Sequence, residues 1–421
     1  VTRHLELLAP DHVQPRSLAA LGPELMAEAS TIVADVRDGG DAALREHAVR
    51  LGDVSPDGPL VLDRETLEAA RAELPAEDRS LLERTADHIR AFAEAQKDVL
   101  GDLDIAIAGG RAGHRVRAVD RAGCYAPGGR YPLPSSLLMT TIPARVAGTV
   151  EVWVASPRPG PVLRAAAAVA EVDSLLAVGG AHAIAALAYG TESVPACDVV
   201  VGPGNRWVTA AKQLVGGHVG TDMLAGPSEL LVVADETASA ELVASDLLAQ
   251  AEHDPDARVG LVARSPDFVE AVDAELERQL KGLSTVEVAR ASLDAHGFAA
   301  VVASLDEAVA VSDHVAPEHL QLHLEDADAV ADRFCRYGAV FVGARSAEVA
   351  GDYGAGPNHT LPTGGTARFR GGLSVFDFMA VRTWLKLDGS AGPVYEDARR
   401  LAELERLDAH ARSAARRAGP R

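Results

Sequence analysis

From Val150 onward the chain alternates short, almost uninterrupted apolar runs with Ala-rich segments of helical spacing. "VEVWVAS" at 150–156 meets a Pro-Gly turn and then "VLRAAAAVAEV"; "SLLAVGG" leads into "AHAIAALAYG", and "DVVVGPGN" into "RWVTAAKQLVGG". The pattern resumes with "ELLVVAD" before "ASAELVASDLLAQAEH", and "RVGLVAR" before "PDFVEAVDAELERQL". A run that is apolar at successive positions, rather than at every second one, suits a strand buried on both faces. That is the condition of a parallel sheet covered by helices. The repetition predicts an α/β fold with doubly wound, Rossmann-like parallel sheets. At 421 residues the chain is too long for one small core, so two such domains are expected.

Outside this region the pattern is helical. Residues 17–100 show apolar positions at helical spacing, as in "LLERTADHIRAFAEAQKDVL". The expected division is a helical extension over 1–24, a discontinuous α/β domain over 25–124 and 230–373, an inserted Rossmann-like domain over 125–229, and a helical tail over 374–421. The tail ends in "YEDARRLAELERLDAHARSAARRAG", which holds too little apolar surface for a core of its own. It is expected to pack on another part of the protein or on a partner subunit.

Charge narrows the partners. Forty basic and 61 acidic residues leave a formal charge of −21, which disfavours nucleic acid and anionic membranes. Cys124, Cys197 and Cys335 are far apart and form neither a zinc knuckle nor a disulfide framework, as in a reducing cytoplasm. "VTRHLELLAPDHVQPR" scatters charges where a signal peptide needs an apolar run, and the most apolar region, 162–190, is broken by Arg164, Glu171 and Asp173. A soluble cytoplasmic protein is expected.

Several segments carry groups capable of chemistry. In "DLLAQAEHDPD", Gln250 and His253 are three apart at a helix end and share a face. Imidazole and amide oxygen both bind divalent cations, yet a polar helix terminus explains the same residues. "VAPEHLQLHLED" places Glu318 beside His319, an acid and an imidazole suited to proton transfer, although such pairs also arise by chance. "GDYGAGPNHTLPTGGTARFRGGLSV" concentrates Gly with Asp352, Asn358 and His359, a density typical of binding loops. "VGGAHA" and "VGPGNRW" follow strands and let a ligand approach a helix N-terminus, but neither completes G-x-G-x-x-G. In "CYAPGGRYPLPSSLLM", Tyr125 is expected to be exposed enough to stack on a ring. Cys124 beside an apolar strand reads as inert.

Taken in order, "YAPGG", "GGAHAIAALAYGTESVP", "VGPGN", "AGPSELLVVAD", "SDLLAQAEH", "PEHL", "GDYGAGPNHTLPT" and the C-terminal "AHA" resemble the histidinol dehydrogenase family over almost the whole chain. The resemblance implies oxidation of L-histidinol to L-histidine through L-histidinal, in two NAD-dependent steps with one zinc per chain. It assigns zinc to Gln250, His253, Asp352 and His410, with His410 delivered across an intertwined homodimer. It makes His319 the base for the alcohol proton and Glu318 the group that activates water. Substrate contacts carry over to Ser228, Gln250, His253, His319, Asp352, Glu405 and His410, with His359 lining the same pocket. NAD contacts carry over to Tyr125, Asn205 and position 182.

The chain departs from the family pattern in three places. His182 stands where Gln is usual, "GGRYPLPSS" replaces a commoner "AAYPSS" form, and "RFRGGLSVFDFMAVRTW" adds Arg370 and Trp384. The last is similar to a sister group of zinc- and NAD-dependent dehydrogenases that oxidise sulfopropanediol, and an extra Arg suits an anionic substrate. That activity is the alternative. A catalytically silent zinc- or nucleotide-binding paralogue is a third reading, against which the retained site residues argue.

Overall fold

The computed structural model describes residues 3–16, 21–128 and 133–418. Two six-stranded sheets dominate it. The first, sheet I, is parallel throughout, in the order Glu6–Leu8, Phe298–Val301, Arg258–Ala263, Glu229–Ala234, His319–His323, Ala339–Val342. The second, sheet II, runs Val61–Asp63, Ser174–Leu176, Glu151–Ala155, Arg121–Tyr125, Val199–Val201, Gly220–Thr221, with only its first pairing antiparallel. The apolar runs are central strands of the two sheets: Val199–Val201 and Glu229–Ala234 are buried from end to end, and Arg258–Ala263 at every position after Arg258, as their composition requires. Local chemistry starts the helices: Pro161 and Pro266 sit in first turns, and Asn205, Ser239 and Ser304 cap with their side chains.

In each sheet the strand order reverses once. The reversal falls between Arg121–Tyr125 and Val199–Val201 in sheet II, and between Glu229–Ala234 and His319–His323 in sheet I. A crevice opens where consecutive connections leave to opposite sides.

Three expectations are corrected. The N-terminus is not a helical extension: Glu6–Leu8 is an edge strand, paired to Phe298–Ala300 with Leu5 fully buried beside it. Three residues are too few to display a period. Residues 17–20 lie outside the described part, as do 129–132 of the "GGRYPLPSS" segment. Residues 25–124 do not belong with 230–373 by sheet membership. Val61–Asp63 and Arg121–Tyr125 are strands of sheet II, and the helix Pro23–Arg50 packs on Gly180–Tyr189 and Arg206–Val215.

The tail is not all helix. Met379–Leu387 pairs antiparallel with Gly110–Ala118, which also pairs with Leu103–Ile107, to make a small third sheet. Only then come the helices Gly392–Leu404 and Asp408–Ala415, packed on each other. This sheet and tail leave Leu103, Ile105, Val381, Leu385, Leu401 and Leu404 exposed. Among the described residues no helix is long and apolar enough to cross a membrane.

Candidate active site

A cleft of about 890 Å³ lies between the two sheets. Pro203, Gly204, Asn205 and Thr209 line it from sheet II, past the carboxyl end of Val199–Val201 and next to the reversal in strand order. Ser228, Gln250, His253, Glu318, His319, Asp352 and His359 line it from the other side. Sheet I presents the amino ends of its strands, since Ser228 and Glu318 immediately precede Glu229–Ala234 and His319–His323.

The pairing of those two strands builds the base. Leu230 stands opposite His319, which brings Glu229 alongside Glu318. The Glu229 amide donates to Glu318 Oε2 at 2.8 Å, and the Glu229 carbonyl lies 3.0 Å from His319 Nδ1. A carbonyl only accepts, so Nδ1 carries the proton and Nε2 keeps its lone pair. That Nε2 is buried without a hydrogen-bond partner, 3.7 Å from Asp352 Oδ1. Burial holds the imidazole below its ordinary pKa against the pull of Asp352, which keeps it neutral and able to accept a proton. Burial also raises the Glu318 carboxyl well above its usual range, with Glu229 and Asp352 adding repulsion.

Cation donors gather beside this pair. Gln250 lies in the last turn of the helix Ala240–Ala251, fully buried, and neither its Oε1 nor its Nε2 has a partner. Two such orphans cost several kcal/mol in a closed apolar setting, on the order of 1–3 each, unless something meets them. His253 Nε2 lies 3.7 Å from Asp352 Oδ2. This is too long for a hydrogen bond and near the roughly 3.4 Å separating two donors of a tetrahedral zinc. Gln250, His253 and Asp352 therefore fit a cation. All three are nitrogen or oxygen donors, the set of an open site rather than a closed thiolate one.

Sequence reasoning missed Glu348. It lies on the five-residue helix Glu348–Asp352, one turn before Asp352, buried, with Oε2 unpartnered and Oε1 3.8 Å from His319 Nδ1. Donor atoms of His319, Glu348 and Asp352 all fall within 4.8 Å of one another. Burial, then Asp352, pushes the Glu348 carboxyl well up. The available signal was the i, i+4 acid pair in "EVAGD".

His359 anchors the same loop, with Nδ1 2.8 Å from the Asp352 carbonyl and Nε2 3.2 Å from Ser136 Oγ. Across the cleft, Asn205 Oδ1 accepts from the amides of Trp207 and Val208 and so caps Arg206–Val215. The turn before it is held from below. Lys212 Nζ donates to the Gly202 carbonyl at 3.0 Å, the Gly202 amide donates to Asp222 Oδ2 at 2.7 Å, and Lys212 and Asp222 pair with each other while buried.

Other expected site residues lie elsewhere. Tyr125 is not exposed: it is 3% accessible, its hydroxyl accepts from the Gly180 amide, and burial pushes its pKa up to about 12. His182 is also buried, with Nε2 3.2 Å from Asp53 Oδ2, which in turn accepts from the Gly179 amide. Desolvation lowers its pKa despite that carboxylate, so the neutral ring braces the Gly179–Gly180 turn from within. Glu405 and His410 are exposed on the tail, whose two helices pack on each other, and are absent from the cleft lining.

Arg370 does not reach the cleft. It pairs with Asp377 at 3.1 Å, and Trp384 lies under the Arg115 guanidinium on the third sheet. Cys124 is inert, as expected, since its thiol is fully buried, its pKa raised by burial, and it donates to the Thr140 carbonyl.

Two mainly parallel sheets closing on a cleft, with a buried imidazole and a cation-donor set facing a capped Gly-Pro-Gly turn, describe an α/β enzyme. The histidinol dehydrogenase family model matches residues 19–418, and the chain belongs to that family. It is 45% identical to the histidinol dehydrogenase of Methylococcus capsulatus over 392 residues, covering 91% of this chain and 89% of that one. Against the histidinol dehydrogenase of Haloarcula marismortui it is 45% identical over 423 residues, covering 96% and 99%. The crystal structure of histidinol dehydrogenase from Elizabethkingia anophelis superposes with a TM-score of 0.93 at 31% identity, covering 99% of this chain and 98% of that one.

Proposed function

We propose that the protein is a cytoplasmic, homodimeric enzyme that oxidises L-histidinol to L-histidine through L-histidinal. The cofactors are NAD and one zinc per chain. Bound zinc would fix the substrate's imidazole and amine, and NAD would accept the hydride of each oxidation. His319 Nε2 takes the alcohol proton, and its Nδ1–H stays anchored on the Glu229 carbonyl, so the ring does not turn between steps. Glu318 activates the water that adds to the aldehyde; its high pKa makes the carboxylate, once formed, a strong acceptor. Gln250, His253 and Asp352 hold the cation, Ser228 and His359 line the substrate's side, and Asn205 lines the nucleotide's side. Tyr125 and His182 act on NAD through the turns they brace.

The observation that carries this reading is the buried, unpartnered Gln250 amide in one cleft with His253, Asp352 and the Glu318–His319 pair. The same cleft also favours one substrate over the other. Asp254, Asp256, Glu318 and Asp352 line it, and Arg206 is its only Lys or Arg among the described residues. Such a lining suits a cationic amino alcohol better than a sulfonate. Exposed Glu405 and His410, on a tail with exposed Leu401 and Leu404, would serve a partner's site, and the exposed Leu103, Ile105, Val381 and Leu385 of the third sheet would meet that partner. The test is NADH formation by zinc-loaded protein on a panel holding L-histidinol and sulfopropanediol. Turnover of L-histidinol is expected; turnover of the sulfonate alone would replace this reading with the alternative.

A further inference from the structure

A central strand of sheet I has one polar face. His319, Gln321 and His323 stand opposite Leu230, Val232 and Ala234 in the register. They therefore face the side on which those three pack against Val243, Leu247 and Ala251 of the helix Ala240–Ala251. The other face of the same strand, Leu320 and Leu322, enters an apolar core. Gln321 and His323 are buried in the molecule, and Asp246 of the helix meets them. Gln321 Nε2 is 2.7 Å from Asp246 Oδ2 and 2.7 Å from His323 Nε2, while His323 Nε2 lies 3.3 Å from the same carboxylate oxygen.

The two amide hydrogens of Gln321 match one acceptor each, which places the His323 proton on Nδ1; that nitrogen and Gln321 Oε1 are buried with no partner, so the network is held at a cost. Apolar side chains would fill this helix–strand contact at lower cost, because every buried polar group must be met with good geometry. The network also has a particular address. Asp246 is one helical turn before Gln250, and Gln321 is two residues beyond His319 on the same face. It ties the element that carries the cation donors to the strand that carries the base.

We infer that Asp246, Gln321 and His323 are positioning residues that lock the last turn of Ala240–Ala251 onto the His319 strand and so hold Gln250 in its cation-binding pose. This rests on the reading of Gln250, His253 and Asp352 as cation donors. Groups that orient metal ligands typically change affinity by 10- to 100-fold when removed.

The test is zinc affinity, measured by competition with a chromophoric chelator, alongside the thermal midpoint of each metal-free protein. Gln321→Met keeps the volume and removes the donor; zinc is expected to bind at least tenfold more weakly. Asp246→Asn keeps an acceptor for Gln321 and should stay within about threefold of the parent. The double variant Gln321→Met/Asp246→Leu removes the carboxylate that Gln321→Met leaves unpartnered. It should regain thermal stability while zinc binding stays weak, an outcome that a purely structural network would not give.

Should Gln321→Met fail to fold, the double variant carries the same expectation. Parent-like zinc affinity in the folded double variant overturns the inference and leaves the cation site standing. Parent protein that binds no zinc overturns both.

Discussion

Each group around His319 is defined by what is denied to it. Nδ1 is committed to a backbone carbonyl and Nε2 to nothing, so the ring has one basic atom in one direction. Glu318 is anchored through Oε2 to the Glu229 amide. The two roles should therefore separate. Glu318→Gln is expected to slow oxidation of supplied L-histidinal by 100-fold or more, on the order of a lost general base, and to slow the alcohol step less. His319→Asn should slow the alcohol step on a similar scale. Equal losses in both half-reactions for both variants would show that the roles are not divided.

Glu229 supports a second prediction at this scale. Burial pushes its carboxyl from an ordinary 4.5 up to about 7, against the opposing pull of Arg258 and Arg16. A raised carboxyl favours the folded state only while protonated, so its stability contribution is full below pH 4.5 and lost as pH rises through 7. The shift corresponds to roughly 3 kcal/mol at most. Glu229→Gln cannot ionise, and its thermal midpoint relative to the parent should climb by several degrees between pH 5 and 8. A constant difference across that range would show that Glu229 does not titrate this way.

At the scale of elements, the turn Val201–Asn205 shows how backbone shape serves the cleft. Gly202 has φ +114°, in the region that glycine tolerates, and a Cβ there would collide with the Tyr125 carbonyl oxygen. Lys212 and Asp222 hold both of its backbone polar groups. Gly202→Ala is expected to lower stability by roughly 2 kcal/mol or more and to weaken NADH binding, read by fluorescence titration. Unchanged binding with lowered stability would confine the turn to a structural role. The short helix Glu348–Asp352 makes the complementary point: five residues deliver two carboxyls to one place, one turn apart.

For the whole molecule, the tail carries the prediction. Glu405 and His410 are exposed and absent from the lining of their own cleft, while the zinc set proposed there has three donors from that chain. Delivery to a second subunit predicts complementation. Mixing inactive His410→Ala protein with inactive Gln250→Ala protein should restore activity as subunits exchange, because one site of the mixed dimer then has every ligand. Activity at background after demonstrated exchange would mean that the tail serves its own chain.

The α/β class and the parallel sheets were legible from residue order, and the family resemblance named Gln250, His253, Glu318, His319 and Asp352 together, residues that line one cleft in the structure. Continuous apolar runs permit little besides doubly buried strands, and motif spacing is a local property that survives without coordinates. Three things were not legible. Glu6–Leu8 and Met379–Leu387 take their strand identity from partners 292 and 261 positions away in register, Glu6 against Phe298 and Met379 against Ala118. Tyr125 and His182 are buried where the helix Pro23–Arg50 packs over Gly180–Tyr189 and shares a core with sheet II, which no local pattern reports. Arg370 was drawn away from the cleft by Asp377. Periodicity records which face of an element is apolar; only the packed chain decides what that face meets, since burial and pairing are properties of distant residues brought together.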